Sequence, residues 1–521
     1  MEKRSRSWVK YLTLPAPSLD NHSGDLDRLQ RMLAGQAGVD KLNLDLDTAR
    51  AVPGMVCRDR ETRLRAVLFQ DRQQTIITAL ESADHPAAVL GLAVDLGTTR
   101  YVLQIVDLET GKVLCTADRQ NPQITVGSDI LTRIHYADQS EGGERLQTLI
   151  LEDLQTGIEA LCRANGLDPA RICNVALAGN TAMTHLFLKL PVRWLIREPY
   201  VPALNDPGLF RAADLGLRLH PWAGIYCFPN AGSYFGGDLL AGILYAGLDR
   251  EEAVSLLVDV GTNAEVVLGN KEWLIGCAGA AGPALEGGVS EIGKQAKPGI
   301  IDKVRIDPAT LEFQIQTIGG LPPTGICGSG FIDLAAELFR NGLLDFRGKL
   351  VPSRLPERFE RHNDSPALRL VPAEASGTGR ALRVAQPEFD SLIRSKAAMY
   401  TILETLMDTV GVGFEELRRF YVAGTFGQYI DPESAISIGM LPDIARETFV
   451  PLGNSSLGGA TRLLQEPDVL PVILQTLERL TYLELNVNQA FMTTFSAAKF
   501  LPHTDRNKFP SVTVLTMQET S

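Results

Sequence analysis

An apolar strand that ends in aspartate and turns on Gly-Thr occurs twice in this chain. Val89-Leu90-Gly91-Leu92-Ala93-Val94 runs into Asp95 and turns at Gly97-Thr98-Thr99. Ser255-Leu256-Leu257-Val258 runs into Asp259 and turns at Gly261-Thr262-Asn263. After the first turn, Tyr101 to Val106 resumes a strand, and Glu109-Thr110-Gly111-Lys112 turns it into a third. A helix over Glu144 to Asn165 follows, and then a buried strand, Val175 to Ala178, leads into Gly179-Asn180-Thr181. The second copy repeats the plan with strand Ala264 to Leu268, helix Ser395 to Val410, and strand Arg419 to Ala423 leading into Gly424-Thr425. Two copies of one supersecondary plan, the second carrying an insertion, predict a duplicated domain with a cleft between its halves.

The chemistry of the repeated turn is specific. A tight glycine turn between paired strands exposes consecutive backbone N–H groups, and with threonine hydroxyls these hydrogen-bond terminal phosphates. An aspartate at the strand end then stands where it can hold Mg²⁺ through water, because Mg²⁺ keeps much of its hydration shell. An ordinary hairpin turn is the alternative for either copy taken singly. A second glycine-rich stretch runs from Gly279 through Gly282 to Gly288, and a third, Gly325-Ile326-Cys327-Gly328-Ser329-Gly330, opens a helix over Phe331 to Phe339. Backbone approaches a nucleotide closely only where side chains are missing, although glycine also marks close helix packing. Neither stretch is a Walker A loop, and no G-x-G-x-x-G sits correctly for a dinucleotide site. Phe228 to Asp238 and Gly453 to Ala460 are further Gly-rich turns opening helices; Asp238 reads equally as an N-cap or as a metal- or water-orienting carboxylate.

The 521 residues are too many for one core. The expected division is a linker at 1–20, a small α+β domain at 21–86, a first ATPase lobe at 87–253, a second at 254–505 and a polar tail at 506–521. Arg347 to Glu388, rich in Pro, Arg and Ser, reads as a solvated insertion. The net charge of −12 argues against a nucleic-acid partner, since phosphate backbones reward a basic face. No stretch approaches the roughly 20 apolar residues of a membrane span, and no signal peptide is recognisable, so a cytoplasmic location is expected. The seven cysteines include no C-x-x-C pair, so neither an iron–sulfur cluster nor structural zinc is expected.

Beyond the loops already described, Asn121-Pro122-Gln123, Gly127 to Ile134, Ala178 to Thr181, Val422 to Gly427, Gly453 to Leu457 and the opening Tyr11 to Leu19 also form a recognisable set. In combination they resemble the reductive activators of corrinoid proteins, over nearly the whole chain. The resemblance implies an α/β fold: a duplicated ribonuclease H-like ATPase domain of the actin and sugar-kinase type, with the small α+β domain before it. It implies ATP and Mg²⁺ as ligands, with Asp95 and Asp259 as the catalytic and metal-orienting pair. Gly97, Thr98, Thr99, Asn180, Gly261, Thr262 and Asn263 would hold phosphates, and Gly282, Gly328, Ser329, Gly330, Gly424 and Thr425 would border the nucleotide. The implied activity is ATP-dependent return of a corrinoid protein from Co(II) to Co(I). Members commonly carry a 2Fe–2S domain before the linker, whereas this chain starts at the linker; electrons are therefore expected from a separate donor such as a ferredoxin or flavodoxin. The alternatives are a small-molecule kinase on the same fold and a nucleotide-gated binding protein without a redox role. A homodimer is a possible assembly.

Overall fold

The computed structural model describes residues 7–18, 23–84, 86–261, 264–279, 290–483 and 489–513. The chain divides into two compact units, residues 1–249 with 455–480, and residues 250–454 with 481–521.

The first unit opens with β1 (Val9–Leu14), helices α1 (Asp25–Ala37) and α2 (Leu46–Met55), and strands β2 (Thr62–Gln70) and β3 (Thr75–Ser82). The strands form an antiparallel sheet in the order β1-β2-β3. The segment expected to be a linker thus supplies an edge strand. Leu12 and Leu14 alternate inward to join Leu29, Leu33, Leu64 and Leu80 in one core, and that burial outweighs the prolines that follow.

Next come β4 (Leu90–Leu96), β5 (Arg100–Asp107), β6 (Val113–Gln120), α3 (Ile130–Ala137), α4 (Gly142–Ala164), β7 (Ile172–Gly179), α5 (Thr181–Phe187), β8 (Gly208–Arg211), β9 (Gly224–Cys227) and α6 (Gly237–Ala246). Their sheet has the order β6-β5-β4-β7-β9-β8, with β4 antiparallel to β5 and parallel to β7. Side chains alternate along β4. Leu90, Leu92, Val94 and Leu96 pack with Leu146, Ile150, Leu154 and Ile158 of α4, whose spacing makes one helical face. Gly91, Ala93 and Asp95 therefore point to the other face of the sheet.

The second unit contains β10 (Ser255–Val260), β11 (Ala264–Gly269), β12 (Leu274–Gly279), β13 (Ile300–Ile306), β14 (Phe313–Thr317), β15 (Gly325–Ile326), α7 (Gly328–Arg340), β16 (Phe359–His362), β17 (Ser365–Val371), β18 (Leu382–Ala385), α8 (Gln386–Val410), β19 (Phe420–Ala423), α9 (Gly424–Tyr429), α10 (Pro432–Ser437) and β20 (Phe449–Gly453). Two helices of the first unit follow, α11 (Ser455–Gln465) and α12 (Val469–Arg479), and then β21 (Leu480–Tyr482) and α13 (Gln489–Ala498). The second large sheet has the order β20-β19-β10-β11-β12-β21. Its β10 is antiparallel to β11 and parallel to β19, the relations that β4 has to β5 and β7. The duplication read from the repeated turns is therefore a duplication of sheet topology.

Three expectations are corrected. Arg347 to Glu388 is not a solvated loop: β16-β17-β18 form a sheet, and Leu368, Leu370, Leu382 and Val384 enter the unit's main core. Helix α8 starts at Gln386, well before Ser395, because Phe389, Leu392 and Ile393 carry its buried face toward the N-terminus. Residues 455–480 belong to the first unit, where α11 packs on β4, β7 and α6.

Candidate functional site

In the first unit the predicted residues converge on the end of β4. Parallel pairing places Asp95 beside Ala178 and Leu96 beside Gly179, so the Gly97 turn and Asn180 emerge from neighbouring strands. A Cβ on Gly97 would stand 2.5 Å from the Arg100 carbonyl oxygen, so only glycine permits this turn. Asn180 caps α5, accepting from Met183 N at 2.9 Å, and its amide donates to Thr98 Oγ1 at 3.1 Å. Asn121, wholly buried, donates to the Gly97 carbonyl at 2.9 Å and takes the Thr99 carbonyl on its own backbone N–H, also at 2.9 Å. The loop is fixed from both sides, so its backbone is organised before any ligand arrives.

Asp95 lies half-buried on the α11 face of the sheet. Ser456, in the first turn of α11, donates to Asp95 Oδ1 at 2.9 Å. Gly236 closes the neighbourhood. It is the N-cap of α6, and a Cβ there would press on the Asn180 backbone and approach Asp238 Oδ1 to 2.5 Å. Asp238 is therefore not the N-cap; it lies in the first helical turn, where a carboxylate is favoured by the N–H groups left unpaired.

In the second unit Asp259 ends β10 beside Ala423 of β19. Gly424 follows Ala423 at φ +81°, and a Cβ there would stand 2.8 Å from the Val260 carbonyl oxygen and 3.0 Å from Asp259 Oδ1. Asp259, Gly261 and Gly424 are thus neighbours. Thr262, Asn263 and Gly282 lie outside the described residues, as does the side chain of Thr425. Gly328, Ser329 and Gly330 begin α7, whose N-cap is Cys327, and α7 packs against α9. A Cβ on Gly330 would stand 2.5 Å from the Ile301 carbonyl oxygen. The Ser329 hydroxyl is buried, 3.2 Å from Cys327 Sγ, so this turn offers outward its backbone at Gly328.

Asn121, Gly236 and Ser456 were not singled out from sequence as site residues. Asn121 lay within the Asn-Pro-Gln segment and Ser456 within the late Gly/Ser turn; both act through partners far away in the chain. Within the first unit, close backbone approach at Gly97, the hydroxyl of Thr98, the amide of Asn180 and the Asp95 carboxylate suit a phosphate with a hydrated cation; within the second, Gly424 allows close backbone approach beside the Asp259 carboxylate.

Three family models cover almost all of the chain: the RACo linker region over residues 3–87, the RACo middle region over 90–251, and the C-terminal domain of RACo, the ASKHA domain, over 253–513. The corrinoid activation enzyme RamQ of Eubacterium limosum is 30% identical over 83% of this chain and 73% of its own length. The [Co(II) methylated amine-specific corrinoid protein] reductase of Methanosarcina barkeri is 26% identical over 75% of this chain and 73% of its own. A solved reductive activator for corrinoid, iron–sulfur protein superposes with a TM-score of 0.87 at 37% identity, covering 98% of this chain and 82% of that one. The repeated Asp-x-Gly-Thr turns therefore belong to an actin-like ASKHA fold, a nucleotide-binding one, and the chain belongs to the RACo family of corrinoid activators.

Proposed function

We propose that this protein uses ATP to return a corrinoid protein from the inactive Co(II) state to Co(I). The observation that carries the reading is the pair of like-placed aspartates, Asp95 beside Ala178 and Asp259 beside Ala423, on a chain that the activator-family models match over residues 3–87, 90–251 and 253–513. Asp95 in the first unit and Asp259 in the second are each the carboxylate offered to a hydrated Mg²⁺. Gly97, Thr98 and Thr99, with Asn180 from the adjacent strand end, hold phosphate oxygens; Gly261 and the Thr262-Asn263 pair do so in the second unit. Gly328 to Gly330, Gly424 and Thr425 border the nucleoside. Bound ATP supplies the free energy that an electron transfer to a low-potential cobalt centre requires. The chain's part is to recognise the Co(II) carrier and to change its grip on that carrier with nucleotide state.

The electron comes from a separate low-potential donor of the ferredoxin or flavodoxin type. The chain's own thiols support this. All seven cysteines are free, and burial pushes Cys162 up to about 11 and Cys173, Cys227 and Cys277 up to about 12. These four thiols stay protonated, whereas cluster ligation and thiol redox chemistry need the thiolate. A cytoplasmic location fits a protein that meets a Co(II) carrier and ATP together.

The test combines purified protein, Mg²⁺, ATP, a Co(II) corrinoid protein and a low-potential donor, and follows the Co(I) absorbance. Co(I) is expected only when ATP is present. Absence of both ATP binding and any cobalt spectral change ends the proposal, and ATP turnover stimulated by a sugar or carboxylate instead assigns the chain to the kinases of the fold.

A further inference from the structure

One part of the first unit takes no part in the phosphate loop yet is wired to it. Residues 189–204 leave α5 and run over the surface. Pro191, Trp194, Pro199, Val201, Pro202 and Ala203 line an open apolar cavity of 320 Å³. Trp194 is 51% and Val201 54% exposed, which is unusual for side chains of this size gathered in one place. Tyr200 and Tyr234 extend the surface, 40% and 37% exposed, with ring centroids 6.0 Å apart.

The charge of this surface departs from that of the chain. Segment 189–204 carries Lys189, Arg193 and Arg197 against Glu198 in a protein of net charge −12; Lys189 is matched by Glu144 at 3.3 Å, which leaves the two arginines as the cationic part of the rim. Arg193 and Arg197 share one carboxylate, Asp138, at 3.9 and 3.7 Å, the outer limit of an ion pair. Arg193 also stands 5.8 Å from the centroid of the Trp194 ring. An apolar socket with a half-matched cationic rim suits a protein surface that presents an aliphatic or aromatic side chain beside carboxylates.

The wiring runs through α5. Its first residues are held by the phosphate loop, Asn180 to Thr98. Thr181 donates its hydroxyl to the Gly232 carbonyl at 2.9 Å, and the next residue, Ser233, donates to the Tyr200 carbonyl at 2.6 Å. His185, wholly buried one turn further on, makes a second link. Its Nδ1 lies 2.7 Å from the Thr181 carbonyl, which can only accept, so Nδ1 carries the proton. Its Nε2 is then free to accept, and takes the Leu204 N–H at 3.3 Å. The imidazole ties the end of the surface segment to the first residue of the helix that Asn180 caps. Asn230 adds a third tie, donating to the Leu204 carbonyl at 3.1 Å.

We propose that the surface around Trp194 docks the corrinoid protein, and that α5, through Thr181 and His185, couples this surface to the phosphate loop at Thr98. The inference rests on the function proposed above and names where the partner is held. A shift of Thr98 and Asn180 on phosphate binding moves α5 and, through two separate hydrogen-bonded links, the cavity wall. Nucleotide state thereby biases partner affinity without a ligand touching both places.

The experiment uses the full chain and the corrinoid protein that the wild type reduces. ATP affinity is measured first. Trp194→Ala and Arg193→Glu are then expected to weaken binding of the Co(II) carrier at least tenfold while ATP affinity stays within about twofold of wild type. Amide hydrogen exchange in 191–205 is expected to change on adding Mg²⁺ and ATP. His185→Gln and Thr181→Val are expected to bind both ligands but to lose the effect of one on the other; because either buried change can unfold the helix, the surface variants and the exchange data decide independently. Unchanged carrier affinity in Trp194→Ala and Arg193→Glu overturns the proposal, as does an unaltered exchange pattern, or a loss of self-association instead of carrier binding. A wild type that binds no ATP or reduces no corrinoid protein defeats the functional reading instead, before the surface is tested.

Discussion

Ser456 donates to the Asp95 carboxylate at 2.9 Å from a position 361 residues further along the chain. The contact exists because α11 returns to the first unit and lies on β4 and β7. Close approach needs a small residue on that face of β4, and Gly91 provides it: a Cβ there would stand 3.2 Å from a Leu464 methyl. Gly91 and Asp95 share the face because they are four apart in a strand. The aspartate proposed to orient Mg²⁺ is thus itself oriented by a helix from the far end of the sequence.

Ser456→Ala removes that hydrogen bond and with it one constraint on the carboxylate. Hydrogen bonds to charged groups contribute about 1.5–3 kcal/mol, so ATP turnover should fall roughly tenfold or more, with the loss partly recovered at high Mg²⁺. Asp95→Asn should lose more, on the order of 100-fold, with no recovery. Steady-state ATPase rates across a Mg²⁺ titration separate the two. Equal rates in Ser456→Ala and wild type would show that the serine does not position the carboxylate.

Gly424 and Gly453 make a matched pair. Both have positive φ, +81° and +66°, but an added Cβ meets the Val260 and Asp259 oxygens at Gly424 and nothing within 4 Å at Gly453. Gly453→Ala should cost only the left-handed strain, about 1–2 kcal/mol. Gly424→Ala adds displacement of the Asp259 carboxylate and should lose nucleotide affinity as well as stability. Thermal melts with and without ATP check this: the ligand-induced rise in Tm should survive in Gly453→Ala and shrink in Gly424→Ala.

What could be read from the sequence followed the range over which each feature acts. The turns after Asp95 and Asp259 and the strands flanking them were legible because glycine, threonine and a short apolar run are local signals. That Val9 to Leu14 of the linker form a strand has no local sign, because their alternation is meaningful only once β2 stands beside it and the prolines after it dominate locally. Arg347 to Glu388 was misread because charged residues alternate there with the few apolar ones that build β17 and β18. Asn121 and Ser456 gave no local sign of their roles, since each is defined by its contact with a loop distant in sequence. The tie from His185 to Leu204 is of the same kind.

Acid should destabilise the protein in a defined window. Burial, aided by Arg171 and Arg211 at His220 and by Lys508 at His503, pushes both imidazoles down from 6.5 to about 4. Both folded values lie below the unfolded one, so the neutral form is favoured by folding. The unfolded chain takes up protons first, and stability present above pH 6.5 is lost as pH falls toward about 4. His503 Nδ1 accepts the Asp505 N–H at 3.0 Å, a bond that an asparagine oxygen can replace. His503→Asn should therefore fold, and its Tm should fall less steeply between pH 7 and 5. An identical pH slope in both proteins would exclude His503 as a contributor.

Lys396 tests the second unit more severely. The side chain is wholly buried in α8, and Nζ donates to the Phe500 and Pro502 carbonyls, both at 2.6 Å, and reaches the Gly439 carbonyl at 3.5 Å. These bonds clamp the segment after α13 onto α8, and Gly439 is glycine where the Pro502 backbone crosses it. Lys396→Met keeps the length and apolar stem but leaves the carbonyls without a donor. At about 1–3 kcal/mol for each buried unsatisfied group, the variant should be about 2–5 kcal/mol less stable and should be cut by protease near 499–504. The difference should depend on pH, with a sign that follows from burial. Burial holds the Lys396 amine well below the ordinary lysine range, so folding favours its neutral form, which still donates two hydrogen bonds. The unfolded chain holds the extra proton, and raising pH toward 10 therefore stabilises wild type but has no such effect at a methionine. The stability gap between wild type and Lys396→Met, measured by denaturant unfolding at pH 7 and pH 9.5, should widen as pH rises. A gap that narrows would mean that the buried ammonium stays charged and that the three carbonyls solvate it as an ion.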